Sequence, residues 1–192
     1  MYPDHSLMPK EAIRLAALGM LAEKPLAYAQ LASAIRDFTS HIMGPNLDLM
    51  GTSIQLIAAE GLIAPVGGGT WRGEAIGPDT RLAITDEGRR SLDALLLAAV
   101  RTPFNDINKL VVALKMRFLG LLTPAQRTEQ IALIGQALES EIARLSSLRA
   151  RPSDEAEAGD ALIAWLDHDI GQLMASLDWF RALALDTGTD KS

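Results

Sequence analysis

The sequence predicts a mainly α-helical protein interrupted once by a short β-hairpin. Three observations carry this prediction. Apolar residues recur at steps of three and four along most of the chain, the spacing that gives a helix one apolar face. Between residues 62 and 84 that rhythm gives way to short β-prone runs around Gly67-Gly68-Gly69. Helix-start signals then follow one another at Thr85-Asp86-Glu87, Thr102-Pro103 and Thr123-Pro124.

The first helix is expected from about Pro9 to Ala22, with Ile13, Ala16, Ala17, Met20 and Leu21 on one face, and Pro25 ends it. A second helix spans Leu26 to Phe38, with Leu31, Ile35 and Phe38 turned inward. Gly44-Pro45-Asn46 breaks the chain. A third helix runs from about Leu49 to Glu60, carries Ile54, Ile57 and Ala58 inward, and places Gly61 just past its end, where a left-handed residue is wanted. Leu62 to Val66 and Arg81 to Ile84 read as two strands of a hairpin with a long loop. Thr85 then caps a further helix whose first turn carries two carboxylates at the positive end of the helix dipole.

The second half reads almost wholly as helix. Thr102-Pro103 is an N-cap followed by an N1 proline, before Phe104, Ile107, Leu110, Val111, Leu114 and Phe118. Thr123-Pro124-Ala125-Gln126 has the form of a capping box. The helix it opens carries Ile131, Ile134, Leu138, Ile142, Leu145 and Leu148. Arg151-Pro152-Ser153-Asp154 breaks the chain, and a last helix from about Glu155 to Leu185 carries Leu162, Leu166, Ile170, Leu173, Leu177 and Phe180. Long amphipathic helices of this kind cannot hide all their apolar surface within one protomer, so pairing with a second copy is expected.

Three helices, a hairpin and a returning helix within residues 1–100 make the layout of a winged helix-turn-helix. The expected architecture is that unit, α with a small β-hairpin wing, followed over residues 101–192 by an antiparallel helical dimerisation domain.

Composition narrows the function classes. Of 192 residues 48% are hydrophobic and 22% charged, as in ordinary globular proteins. No apolar run approaches the ~18 residues of a membrane span, and Met1 to Met8 lacks the basic start of a secretory signal. With no cysteine, disulfides and thiolate metal sites are excluded, which fits a cytoplasmic setting. The net charge of −6 divides evenly: residues 1–100 hold 8 Lys/Arg against 11 Asp/Glu, and residues 101–192 hold 10 against 13. Nucleic-acid binding through bulk positive charge is therefore not expected, and any DNA contact has to rest on a local patch. Catalysis has no visible apparatus: no cysteine nucleophile, no triad-like recurrence of Ser, His and Asp, and no Lys-Ser/Thr sequel to the glycine run. No cofactor is expected.

Taken together, these motifs resemble the PadR family of winged-helix regulators, in the subgroup with a large C-terminal helical domain, over about residues 11–185. Ala17 to Leu26 is similar to the family's first-helix run into its Pro-Leu motif, with Tyr28 and Leu31 on the family's Tyr and Leu and Ala27 where a glycine usually stands. Ile57, Glu60, Gly61 and Leu62 match the end of its recognition-helix pattern, Leu82 to Leu92 matches its strand-to-helix run, and Leu177-Asp178-Trp179 resembles its closing helix. The sequence departs from the family at the recognition helix. Gly51 stands at the usual tyrosine, Gln55 and Leu56 at usual basic positions, and residues 47–61 contain no Lys or Arg.

The resemblance implies a homodimeric transcriptional regulator, a repressor by preference, that binds double-stranded DNA and is released by a small-molecule effector. Thr52, Ser53 and Gln55 are then the candidate base readers. Lys10, Tyr28, Arg36, His41, Arg72 and Arg81 are the candidate backbone contacts, with Arg72 near the wing tip placed to enter a minor groove. Met116, Phe118, Trp165 and Trp179 are the candidate effector-pocket residues, set against plain core or dimer packing. Lys115 and Arg117 read as exposed charge beside that stripe. Asp167-His168-Asp169 suggests a metal only superficially, because adjacent helical residues point ~100° apart. A reading from another class takes the winged unit as a protein-interaction module or antirepressor, on the acidic balance and the non-basic stretch 47–61.

Overall fold

The computed structural model describes residues 9–44, 53–67, 76–100, 106–150 and 156–189. Its elements are α1 (Pro9–Glu23), β1 (Leu26–Ala27), α2 (Tyr28–Met43), α3 (Ser53–Ala59), β2 (Ile63–Pro65), β3 (Arg81–Ile84), α4 (Asp86–Leu97), α5 (Asp106–Arg117), α6 (Pro124–Arg149) and α7 (Ala156–Thr189). A short 3-10 turn, Leu119–Leu121, follows α5. The architecture is mainly α with one small antiparallel sheet, as the periodicity predicts. Two compact units divide it: Met1–Ala98 with Asp106–Leu122, and Ala99–Asn105 with Thr123–Ser192.

In the first unit α1 is the hub. Ala12, Ile13, Leu15, Ala16, Ala17, Leu18, Met20 and Leu21 are all buried, so the helix is apolar all round and has α2, α3, α4, α5 and β3 packed about it. Periodicity alone assigns it a single apolar face. Small residues on its other sides let neighbours approach instead. Gly19 shows how closely: a Cβ there would stand 2.4 Å from the Phe118 ring. We expect Gly19→Ala to destabilise this unit by about 2 kcal/mol or more, since the ring sits in a filled core, and a denaturant melt of the variant measures it.

The sheet has three strands, in the order β1-β3-β2, both pairings antiparallel. The hairpin β2–β3 is the predicted one, with Ile63 opposite Ile84 and Pro65 opposite Leu82. The third strand is a difference. Leu26 and Ala27, which the sequence suggests as the start of a helix, pair with Leu82 and Arg81. Helix α2 begins just after them, where the Tyr28 and Ala29 N–H groups donate to the carbonyls of Thr80 and Pro78 at 2.9 Å each. Carbonyls from the wing thus meet two of the donors that a helix start leaves unpaired.

The second unit is a hairpin of two long helices. At the start of α6 the predicted capping box is present: the Thr123 N–H donates to Gln126 Oε1 at 3.0 Å, and the Gln126 N–H donates to Thr123 Oγ1 at 3.4 Å. Ile131, Ile134, Leu138 and Leu145 of α6 and Leu166, Leu177 and Phe180 of α7 form the buried seam. Ion pairs join the two helices, Arg181 to Glu139 at 2.8 Å and Arg149 to Asp167. Asp167 is thereby held below the usual carboxylate range by the Arg149 hydrogen bond, and His168 faces Gln172 at 2.7 Å.

Candidate nucleic-acid interface

A single turn ties the third helix to the wing. Gly61 adopts φ +74°, the left-handed conformation that glycine accepts without a Cβ penalty. Its N–H donates to the Ala58 carbonyl at 2.9 Å, and the Leu62 N–H donates to the Ile57 carbonyl at 3.1 Å. This bond pair closes α3. The chain then turns directly into β2, and the Leu62 carbonyl accepts the Thr85 N–H at 3.0 Å. The Thr85 hydroxyl, 2.8 Å from the Gly61 carbonyl and 3.1 Å from that of Leu62, also accepts the Gly88 N–H at 3.0 Å and so caps α4. No side chain fits between the turn and the cap. A Cβ on Gly88 would stand 2.0 Å from the Leu62 carbonyl oxygen. The end of α3, the root of the wing and the start of α4 are therefore locked to one another by backbone.

Ile54, Ile57 and Ala58 point inward from α3, which packs on α1. The other side of α3 presents Gln55, half-buried, and Leu56, 51% exposed. Just past it, Glu60 is paired with Arg14 of α1. Among the described residues of α3 there is no cation. Arg36 and His41 are exposed on α2, with His41 Nδ1 2.6 Å from the Asp37 carbonyl. Tyr28 is half-buried at the start of that helix, and Arg81 is exposed on β3 opposite Ala27. Thr52 and Arg72 lie outside the described residues, as do the side chains of Lys10 and Ser53.

The effector candidates fall in both units, Met116 and Phe118 in the first and Trp165 and Trp179 in the second. Phe118 is 1% exposed and belongs to the core of the first unit, its ring against Gly19. Met116 is half-buried in the last turn of α5. Trp165 and Trp179 are both 56% exposed on α7, and their separation of fourteen residues amounts to ~21 Å of helix. Within the second unit the groove between α6 and α7, about 460 Å³, is lined by Ile131, Gly135, Leu177, Phe180, Ala184 and Leu185, with Glu139 and Arg181 at its rim. Neither tryptophan lines it.

Lys115 differs most from what its sequence setting suggests. It is 0% exposed, and its Nζ donates to the carbonyls of Leu95, Leu96 and Ala98 at 2.9, 2.6 and 2.7 Å. These are carbonyls that the end of α4 leaves unpaired, so a buried ammonium closes that helix. Burial pushes the group down to about 7. Arg117, by contrast, reaches Glu23 at 3.5 Å and stacks over Phe38 and Phe118, 5.6 and 5.3 Å from the ring centres. The one sequence sign of Lys115's position is its spacing, four residues after the buried Val111.

A winged unit fused to a helical hairpin is the setting for the comparisons with known proteins. The family of AphA-like transcriptional regulators matches residues 2–184. The chain belongs to that family. It is accordingly a regulator of transcription by kinship and not an enzyme. No curated protein matches it. Among solved structures, Bacillus subtilis PadR is similar at 13% identity over 96% of this chain and 99% of that one, with a TM-score of 0.38. PadR in complex with p-coumaric acid aligns at 14% identity over 96% and 100%, with a TM-score of 0.36. PadR in complex with operator DNA aligns at 13% over 91% and 98%, with a TM-score of 0.33. Among its described residues, no helix is long and apolar enough to cross a membrane.

Proposed function

We propose that the protein is a cytoplasmic, homodimeric DNA-binding repressor. Residues 1–100 form its winged head and residues 101–192 carry dimerisation and effector response. The observation that carries this reading is the backbone lock at Gly61, Leu62 and Gly88, which holds α3 and the wing in one rigid piece. A duplex reader needs that arrangement, since the helix enters a groove while the wing touches the flanking backbone. Thr52, Ser53 and Gln55 read bases. Arg36 and Arg81, both exposed, meet phosphates, with Lys10, Tyr28, His41 and Arg72 around them. Two heads contact half-sites about one helical turn, ~34 Å, apart. A small apolar molecule, for which the groove between α6 and α7 is a candidate seat, changes that spacing and releases the operator.

The test is fluorescence anisotropy on the DNA upstream of its own gene, across a salt series. Because few cations face the duplex, the salt slope is expected to be shallow. Arg36→Ala and Arg81→Ala should each weaken binding several-fold on every sequence, and flatten the slope by about one for each phosphate left without its cation. No binding at low salt disposes of the proposal.

One observation favours a second reading. Exposed Leu56 and the neutralised Glu60–Arg14 pair give α3 an outer face suited to a protein partner. In that case the winged head is an interaction module or antirepressor, and Leu56→Asp abolishes its activity while Arg36→Ala and Arg81→Ala leave it intact.

A further inference from the structure

Helix α3 turns Ile54, Ile57 and Ala58 into the core, and that fixes what it shows to solvent. At ~100° per residue the opposite direction falls between Leu56 and Ala59, each ~30° from it. Both are exposed, Leu56 to 51%. Gln55, half-buried, flanks them on one side. Glu60 follows on the other, and its charge is already neutralised by Arg14 of α1. The centre of the outward face is therefore apolar, and its edge carries an amide.

Base pairs in a major groove differ in what they offer such a face. Guanine presents O6 and N7, which call for arginine or lysine, and residues 47–61 contain neither. Adenine presents N6 and N7, which suit the amide of a glutamine, and thymine presents a 5-methyl group, the one apolar feature of the groove. Leu56 and Ala59 match the methyl, and Gln55 matches the adenine. A protein partner fits this face less well. Two short side chains offer far less than the ~800 Å² that a stable protein interface takes from each partner. The family to which the chain belongs regulates transcription, and the backbone lock at Gly61 and Gly88 holds this face in fixed relation to the wing.

We infer that Leu56 is a specificity-determining residue, which packs with Ala59 against the 5-methyl group of thymine, so that α3 selects A·T pairs through their methyl groups rather than through charge. This rests on the DNA-binding reading proposed above and adds to it which base α3 reads.

Deoxyuridine pairs as thymidine does and lacks only the methyl group. Anisotropy of the full-length protein on the DNA upstream of its own gene, prepared once with thymidine and once with deoxyuridine, therefore isolates the contact. Loss of the methyl should weaken binding about fourfold for each one covered, and so about 15-fold for a dimer on two half-sites. Leu56→Ala should bind the thymidine DNA no more tightly than the parent binds the deoxyuridine DNA, and should distinguish the two by less than about twofold. Its circular dichroism should match the parent's, because the Leu56 side chain lies outside the core. Equal binding of both DNAs by the parent overturns the inference and leaves the regulator reading standing. A preference for thymidine that Leu56→Ala keeps in full overturns it as well, since the methyl then acts through the shape of the duplex. No binding of either DNA at low salt overturns both ideas, and the outward face of α3 then passes to a protein partner.

Discussion

Gly88→Ala should strongly destabilise the winged head and loosen α3 and the wing from their places. The added methyl would lie 2.0 Å from the Leu62 carbonyl oxygen and 2.8 Å from Ile84 Cγ1. The first of these is backbone, and it cannot swing aside as a flexible side chain would. Relief requires α4 to back away from the turn, which breaks the Thr85 cap and its bonds to Gly61 and Leu62. Overpacking in a filled interior costs about 1–3 kcal/mol, and the loss of an N-cap about 1 more, so a total of about 2–4 kcal/mol is expected. Small domains have only about 5–15 kcal/mol in hand. Guanidinium unfolding followed by far-ultraviolet circular dichroism measures the loss. A variant with the parent's midpoint would show that the turn is not packed as described. DNA binding should fail in step with folding.

Lys115→Met should destabilise the first unit by about 3 kcal/mol or more at pH 6, where the ammonium carries all three donors. Methionine keeps the apolar stem but leaves the carbonyls of Leu95, Leu96 and Ala98 without their donor, and each buried acceptor left unpaired costs about 1–3 kcal/mol. The pH dependence separates the amine from the stem. Burial lowers the group from 10.5 to about 7 in the folded chain. Between those values the unfolded chain binds a proton that the folded chain does not, so stability rises with pH across that window, by up to about 1.4 kcal/mol per unit. Below pH 7 both states are protonated and the slope disappears. The difference between the parent and Lys115→Met should therefore be flat from about pH 6 to 7 and grow from about 7 to 10. A difference that stays flat to about pH 10 would mean that the three carbonyls keep the proton on the amine.

These two sites differ in how far a linear reading reaches them. The glycine is visible as part of the run from Leu82 to Leu92, and Thr85 as a cap, because both belong to local helix-start chemistry. What demands glycine there is not visible, since the carbonyl it meets belongs to Leu62, more than twenty residues earlier. Lys115 reads as surface charge, as lysine usually does. Only the packing of α5 against the end of α4 turns it inward. Likewise Trp165 and Trp179 read as candidate pocket residues, and only the structure shows them exposed on α7.

Periodicity and capping suffice for the elements: where most helices start and stop, the hairpin between residues 62 and 84, and the long amphipathic pair at the end. Both signals act within one or two turns of chain, so a linear string can carry them. Three features come instead from long-range packing. Leu26 and Ala27 join the sheet as a third strand. Phe118 against Gly19 and Lys115 against α4 bring α5 into the same compact unit as α1. Trp165 and Trp179 of α7 stand outside the seam that α7 makes with α6. Each depends on contacts between residues far apart in the chain. Their energies come from burial and from pairing of backbone groups, and no local pattern encodes those.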